Sequence, residues 1–155
     1  MRLQYRYGIY LILRILLGAV FIWAAWGKIL DPAGFAEVIR NYRLIPETWI
    51  NPVALLLPWS EAVCGVLLIS GRWIYGSILL INTALVIFIG ALAFNWYRGV
   101  DVSCGCFSVS AEYQTGEYLI DISRDIAFLA AGIWIAYYKH RTDTALGNPD
   151  DRFEK

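Results

Sequence analysis

"WIYGSILLINTALVIFIGALAFNW", residues 73 to 96, is an apolar run with no acidic or basic side chain. At about 1.5 Å of rise per residue, a helix of this length crosses a hydrocarbon core of about 30 Å. Three more runs of similar length flank it: "YGIYLILRILLGAVFIWAAWGKIL" (7 to 30), "PVALLLPWSEAVCGVLLIS" (52 to 70) and "YLIDISRDIAFLAAGIWIAYY" (118 to 138). The chain of 155 residues is 59% hydrophobic, with a mean hydropathy of +0.53, too apolar for a soluble domain of this size. The expected fold is all-α, an integral membrane four-helix bundle with spans at 8–30, 52–70, 73–96 and 118–138. Residues 1–140 then form one membrane domain, and 141–155 a polar, loosely ordered tail.

Arg2 and Arg6 ahead of the first run imitate a secretory signal, but the apolar stretch is too long and Arg14 interrupts it, so it reads as an uncleaved span. With zero net charge and dispersed lysines and arginines, no nucleic-acid partner is expected; membrane lipid is. Four spans put both termini on one side, with Arg2, Arg6, Arg72, Lys139, Arg141, Arg152 and Lys155; the other side has Lys28, Arg40, Arg43 and Arg98. The positive-inside rule makes the termini cytoplasmic. The expected location is the bacterial inner membrane, with both long loops facing the oxidising periplasm.

The first of those loops, "DPAGFAEVIRNYRLIP" (31 to 46), has Asp31 to cap, Pro32 to start and Phe35, Val38, Ile39 and Tyr42 at helical spacing. It predicts a short interfacial helix in the first outer loop, ended by Pro46. The tryptophans lie mostly near span ends, where indole rings favour the headgroup region. Small residues repeat every seven positions, Gly18 and Ala25 on span one and Gly76, Thr83 and Gly90 on span three, and predict seams between helices. Asn82 needs a partner, expected on another helix.

Charges inside spans cost several kcal/mol unless paired or hydrated. Arg14 lies in span one, Glu61 in span two, and Asp121, Arg124 and Asp125 on one face of span four at i, i+3 and i+4. With Lys28 at the outer end of span one, they are the candidate buried or binding polar residues. Glu61 is expected to pair with Arg14 or Arg124, or to be protonated. The group reads either as a structural lock or as a ligand and proton site. His140, beside Lys139 and Arg141, reads as a flanking surface residue.

"VDVSCGCFSVS" (100 to 110) holds two of the three cysteines. A Cys-x-Cys disulfide is strained, and glycine between the cysteines relieves part of the strain; such a bond, once formed, is labile. Cys104 and Cys106 are therefore a candidate redox pair, with a static disulfide or plain thiols as the alternatives. The loop offers no histidine and no second cysteine pair, so no metal is expected. Cys64, well inside span two, reads as a buried, inert thiol.

The stretches "RILLGAVFIWAAWGKILDPAGFAEVIRNYRLIP" (14 to 46), "LPWSEAVCGVLLISG" (57 to 71) and "RGVDVSCGCFS" (98 to 108), in this order and spacing, resemble the MauE family, the methylamine utilisation branch of the DoxX-like superfamily of four-helix membrane proteins. Members usually read Cys-Gly-Cys-Phe-Gly, where this chain has Ser108 at the last position. The resemblance implies an inner-membrane accessory protein, linked to maturation of the disulfide-rich small subunit of methylamine dehydrogenase beside a periplasmic thioredoxin-like protein. The wider superfamily includes a subunit of a thiosulfate:quinone oxidoreductase. The leading expectation is a component of thiol-disulfide exchange, with Cys104 and Cys106 exchanging with the thioredoxin-like partner and a quinone among the outer helix ends passing or taking electrons. Its rival is a non-enzymatic scaffold or small-molecule transport protein.

Overall fold

The computed structural model describes residues 2–99 and 118–145. Five helices follow one another: α1 (Arg2–Leu30), α2 (Pro32–Tyr42), α3 (Glu47–Ser70), α4 (Ile74–Tyr97) and α5 (Tyr118–Ala145). By length and composition, Tyr5–Leu30, Glu47–Ser70 and Ile74–Tyr97 can each cross a membrane. The charges of α5 dilute its apolar character, but it packs beside α1 and α4 and completes the bundle. Around the bundle the order of neighbours is α1, α3, α4, α5 and back to α1.

At one end, Tyr10 of α1 stacks on Tyr138 of α5 with ring centroids 5.1 Å apart, and the Tyr75 hydroxyl of α4 donates to Asp143 of α5 at 2.9 Å. This is the turn end, where α3 passes into α4. Gly71 makes that turn possible: its φ of 77° lies in the left-handed region, and a Cβ there would stand 2.8 Å from the Arg14 guanidinium. At the opposite end lies α2, capped by Asp31, whose Oδ1 accepts from the Gly34 amide at 2.9 Å. Phe35, Val38 and Tyr42 are buried against the bundle, with Ile39 half-buried, while Glu37, Arg40 and Asn41 are exposed.

The closest approach in the bundle is between α1 and α3. A Cβ on Gly18 would stand 2.8 Å from the Gly65 carbonyl oxygen, and one on Gly65 would stand 2.7 Å from that of Gly18. Backbone meets backbone there, which only glycine allows. Ala25, the other member of that seam, is fully buried. Among the described residues the seam expected on span three does not form: a Cβ on Gly90 would meet nothing, one on Gly76 only the Trp73 ring, and Thr83 donates to its own helix at Leu79. The small residue that matters for α4 sits on α5, where Gly132 leaves room for the Asn82 side chain.

α1, expected from residue 8, begins at Arg2, and two more segments extend past their expected ends. α3 begins at Glu47, after Pro46 as its N-cap, and takes in Pro52 and Pro58. α5 continues to Ala145, so residues expected in the tail are helical, tied by Lys139 to Asp143 at 2.6 Å and by the Thr142 and Thr144 hydroxyls bonding back to Tyr138 and His140.

Outward faces are apolar. Trp23, Trp26, Trp49, Trp59, Trp73 and Trp96 are exposed, as lipid contact requires, while Trp134 is half-buried and stacks on Tyr138 at 5.5 Å.

Candidate functional site

Two apolar clusters fill the bundle. The larger, towards the turn end, is built on Leu17, Phe21, Leu68, Ile81 and Ile135; the other, under α2, is built on Phe35, Val38, Ile50 and Leu92. Between them each long helix of the bundle contributes to one layer: Lys28 from α1, Glu61 from α3, Phe88 from α4 and Asp125 from α5. Lys28, Glu61 and Asp125 are 2%, 5% and 1% exposed, which makes this layer the place where charge is buried among the described residues.

The Lys28 ammonium donates to both oxygens of Glu61, at 3.0 and 2.7 Å. It also lies 5.1 Å from the Phe35 ring centroid and 5.6 Å from that of Phe88, so α2 and α4 supply aromatic faces to the cation. On α5, the Arg124 guanidinium bridges Asp121 at 3.0 Å and Asp125 at 3.3 Å. Only Oδ1 of Asp125 takes part. Its Oδ2 is buried without a hydrogen-bond partner among the described residues.

Glu61 separates two spaces. On one side a cavity of about 370 Å³ opens between α2, α3 and α4, lined by apolar side chains such as Phe35, Leu57 and Ile87, with Ser60, Glu61, Cys64 and Thr83 as its polar points. On the other side a pocket of about 20 Å³ is lined by Lys28, Glu61 and Asp125 with Ala24, Leu85 and Phe128. The large cavity has the size and apolar lining of a small-molecule site.

The structure brings Lys28, Glu61, Asp121, Arg124 and Asp125 into one neighbourhood and leaves Arg14 out of it. Arg14 stands at the turn end, donating to the Ile69 carbonyl at 3.4 Å and lying over the Tyr10 ring. The expected pairing of Glu61 with Arg14 or Arg124 is therefore corrected: its partner is Lys28. The reason is depth, because Arg14 lies about 21 Å along α1 from Lys28. Cys64 is buried and lies on the cavity wall. Cys104 and Cys106 lie outside the described residues. Sequence reasoning missed the cavity, which is a product of packing, and Asn95, fully buried near the end of α4 with its Nδ2 on the Ala91 carbonyl at 3.1 Å. Its signal was an amide close to a span end, which reads equally well as exposed.

The chain matches the family described as "Methylamine utilisation protein MauE" over residues 6–138. It is 36% identical over 96 residues to methylamine utilization protein MauE of Paracoccus denitrificans, an alignment covering 61% of this chain and 52% of that protein. With the protein of the same name from Methylorubrum extorquens it is 33% identical over 114 residues, covering 72% and 61%. The chain thus spans about half to three-fifths of the length of these relatives. No solved structure matches it.

Proposed function

This chain belongs to the MauE family, and on that premise we propose that it is a membrane accessory protein of thiol-disulfide exchange in protein maturation, of the methylamine utilisation type and coupled to quinone. Cys104 and Cys106 are the exchanging pair, and a thioredoxin-like protein of the bacterial periplasm is their soluble partner. The reading places the chain in the inner membrane with its termini in the cytoplasm.

The observation that carries it is the position of the cavity. The helices that flank the Cys-Gly-Cys segment, α4 and α5, meet it at the end of the bundle where α2 lies, and α2 supplies part of the cavity wall at that same end. Its volume and apolar wall suit a quinone ring, with the Ser60 hydroxyl and the Glu61 carboxylate as polar contacts. A quinone, when bound, accepts two electrons and two protons or returns them. In the pair, Cys104 and Cys106 lose two protons and two electrons as their sulfurs join, and the reverse run restores two thiols. A thiolate of the pair attacks the partner's disulfide, or the partner attacks theirs, through a mixed disulfide.

The test is separate replacement of each cysteine by serine. Cys104→Ser or Cys106→Ser should leave the helices inserted and trap a mixed disulfide with the partner, seen on a non-reducing gel and lost with reductant. In the wild type, depletion of the quinone pool should shift the redox state of the pair. Full function of both variants in cells, with no adduct and no dependence on quinone, overturns the proposal in favour of a scaffold.

A further inference from the structure

We propose that the large cavity selects a ligand by the hydrogen bonds the ligand donates, so that of the two forms of a quinone it holds the hydroquinone more tightly. The identity of the ligand rests on the quinone reading above, whereas the preference for a donor rests on the cavity wall itself.

Few polar groups line the cavity, and their protons are already committed. The Ser60 hydroxyl donates to the Leu57 carbonyl at 2.7 Å, and the Thr83 hydroxyl to the Leu79 carbonyl at 2.7 Å. A hydroxyl has one proton and two lone pairs, so a ligand finds only acceptors there. Glu61, bonded to the Lys28 ammonium through both oxygens, is a carboxylate: it has no proton to give, but its oxygens have room for about two further hydrogen bonds. Lys28 lines the small pocket and not this cavity. Along α3 and α4 the backbone amides of the wall are held in the helices' own ladders. Cys64 adds a thiol, which is a weak donor, and Tyr42 of α2 has an interaction of its own. Serine and threonine bond back to their own helix in many spans; here two such hydroxyls and a carboxylate meet on one apolar wall.

A quinone presents two carbonyl oxygens, which only accept, and against these acceptors they stay unpaired. A hydroquinone presents two O–H groups, which donate. In apolar surroundings an unpaired polar group is costly, so the reduced form should bind about tenfold tighter. Tighter binding of the reduced form raises the reduction potential of the bound couple, by about 30 mV for each tenfold preference in a two-electron exchange. That sets the direction of electron flow. The Cys104 and Cys106 thiols give up two electrons and two protons: two S–H bonds break, one S–S bond forms, and two O–H bonds form on the quinone oxygens. The new disulfide then takes two electrons and two protons from a dithiol of the soluble partner, and the pair returns to thiols.

The experiment uses the full chain with Cys104→Ser and Cys106→Ser together, so that no thiol pair consumes the probe, in lipid nanodiscs under anaerobic conditions. Saturable binding above that of empty nanodiscs is measured by equilibrium partition for decylubiquinone and decylubiquinol, and for 4-pentylphenol and 4-pentylanisole, a pair alike in ring and tail that differs in the donated proton. Decylubiquinol should bind about tenfold tighter than decylubiquinone, and the phenol tighter than the anisole. Ser60→Ala with Thr83→Val removes two acceptors at exposed positions, and should cut the preference several-fold while leaving decylubiquinone binding as it was. Tyr42→Phe should leave decylubiquinone binding unchanged as well. Equal binding within each pair, tighter binding of the oxidised form, a preference untouched by Ser60→Ala with Thr83→Val, or loss of decylubiquinone binding in a folded Tyr42→Phe overturns the donor preference and leaves quinone binding standing. A preference for the phenol without saturable binding of either ubiquinone form supports the donor preference and rejects the quinone reading. Saturable binding of none of the four overturns both.

Discussion

Lys28 and Glu61, 33 positions apart in the chain, meet through both carboxylate oxygens in a layer between two apolar clusters. A buried pair of this kind is costly to break from one side, because the partner is left charged and alone. Glu61→Ala should lower stability by about 3–5 kcal/mol, measured by unfolding in detergent. Lys28→Met together with Glu61→Leu should recover most of that loss. Removing Arg14 from the Glu61→Ala background should recover none of it, since Arg14 belongs to the turn end.

Glycines in this bundle divide sharply by position. Gly65→Ala drives a methyl group into the Gly18 carbonyl and Ile22, and should cost about 1–3 kcal/mol. Gly90→Ala meets nothing and should be neutral, or stabilising by about 0.5–1 kcal/mol through helix propensity. Thermal unfolding of the two variants side by side checks the assignment of the contact to α1 and α3.

At the turn end, the Lys139 ammonium bonded to Asp143 holds that carboxyl below its ordinary range, with a smaller contribution from the Tyr75 hydroxyl. A lowered folded pKa gives stability that is present above the unfolded value, about 3.9, and is lost as pH falls through the folded value. Asp143→Asn should therefore cost at most about 1 kcal/mol near neutrality, because the pair is partly exposed and screened. The difference from wild type should begin to fade only below pH of about 4 and vanish below the lowered folded value, as read from unfolding midpoints across pH.

Ala91→Phe projects a ring into the large cavity from α4. It should abolish any quenching of tryptophan fluorescence by decylubiquinone while the bundle's helical circular dichroism is retained. Quenching equal to wild type would move the quinone elsewhere.

The membrane class and the helix of the first loop were legible because they depend on one-dimensional patterns: run length for the spans, and Phe35, Val38 and Tyr42 at helical spacing for α2. The buried acids were legible for the same reason, since a charge in an apolar run announces itself. Partnership was not. Lys28 stands near the end of its span and reads as a headgroup charge until α2 folds over it and the Phe35 ring covers the ammonium. Nor could the period of seven tell a packed seam from a lipid-facing one: Gly18 and Gly90 look alike in sequence, and only the course of α3 past α1 separates them.

The glycine crossing also sets a datum from which depth in the bundle can be measured. From Gly18 to Lys28 is about 15 Å along α1, and from Gly65 to Glu61 about 6 Å along α3, both towards the α2 end. The offset of about 9 Å between the two backbone positions falls to the side chains. Each leans towards the N-terminus of its own helix, and because the helices run antiparallel, Lys28 leans down as Glu61 leans up. The lysine stem is thus a ruler matched to the stagger of two helices, and the crossing and the ion pair are two marks on one scale.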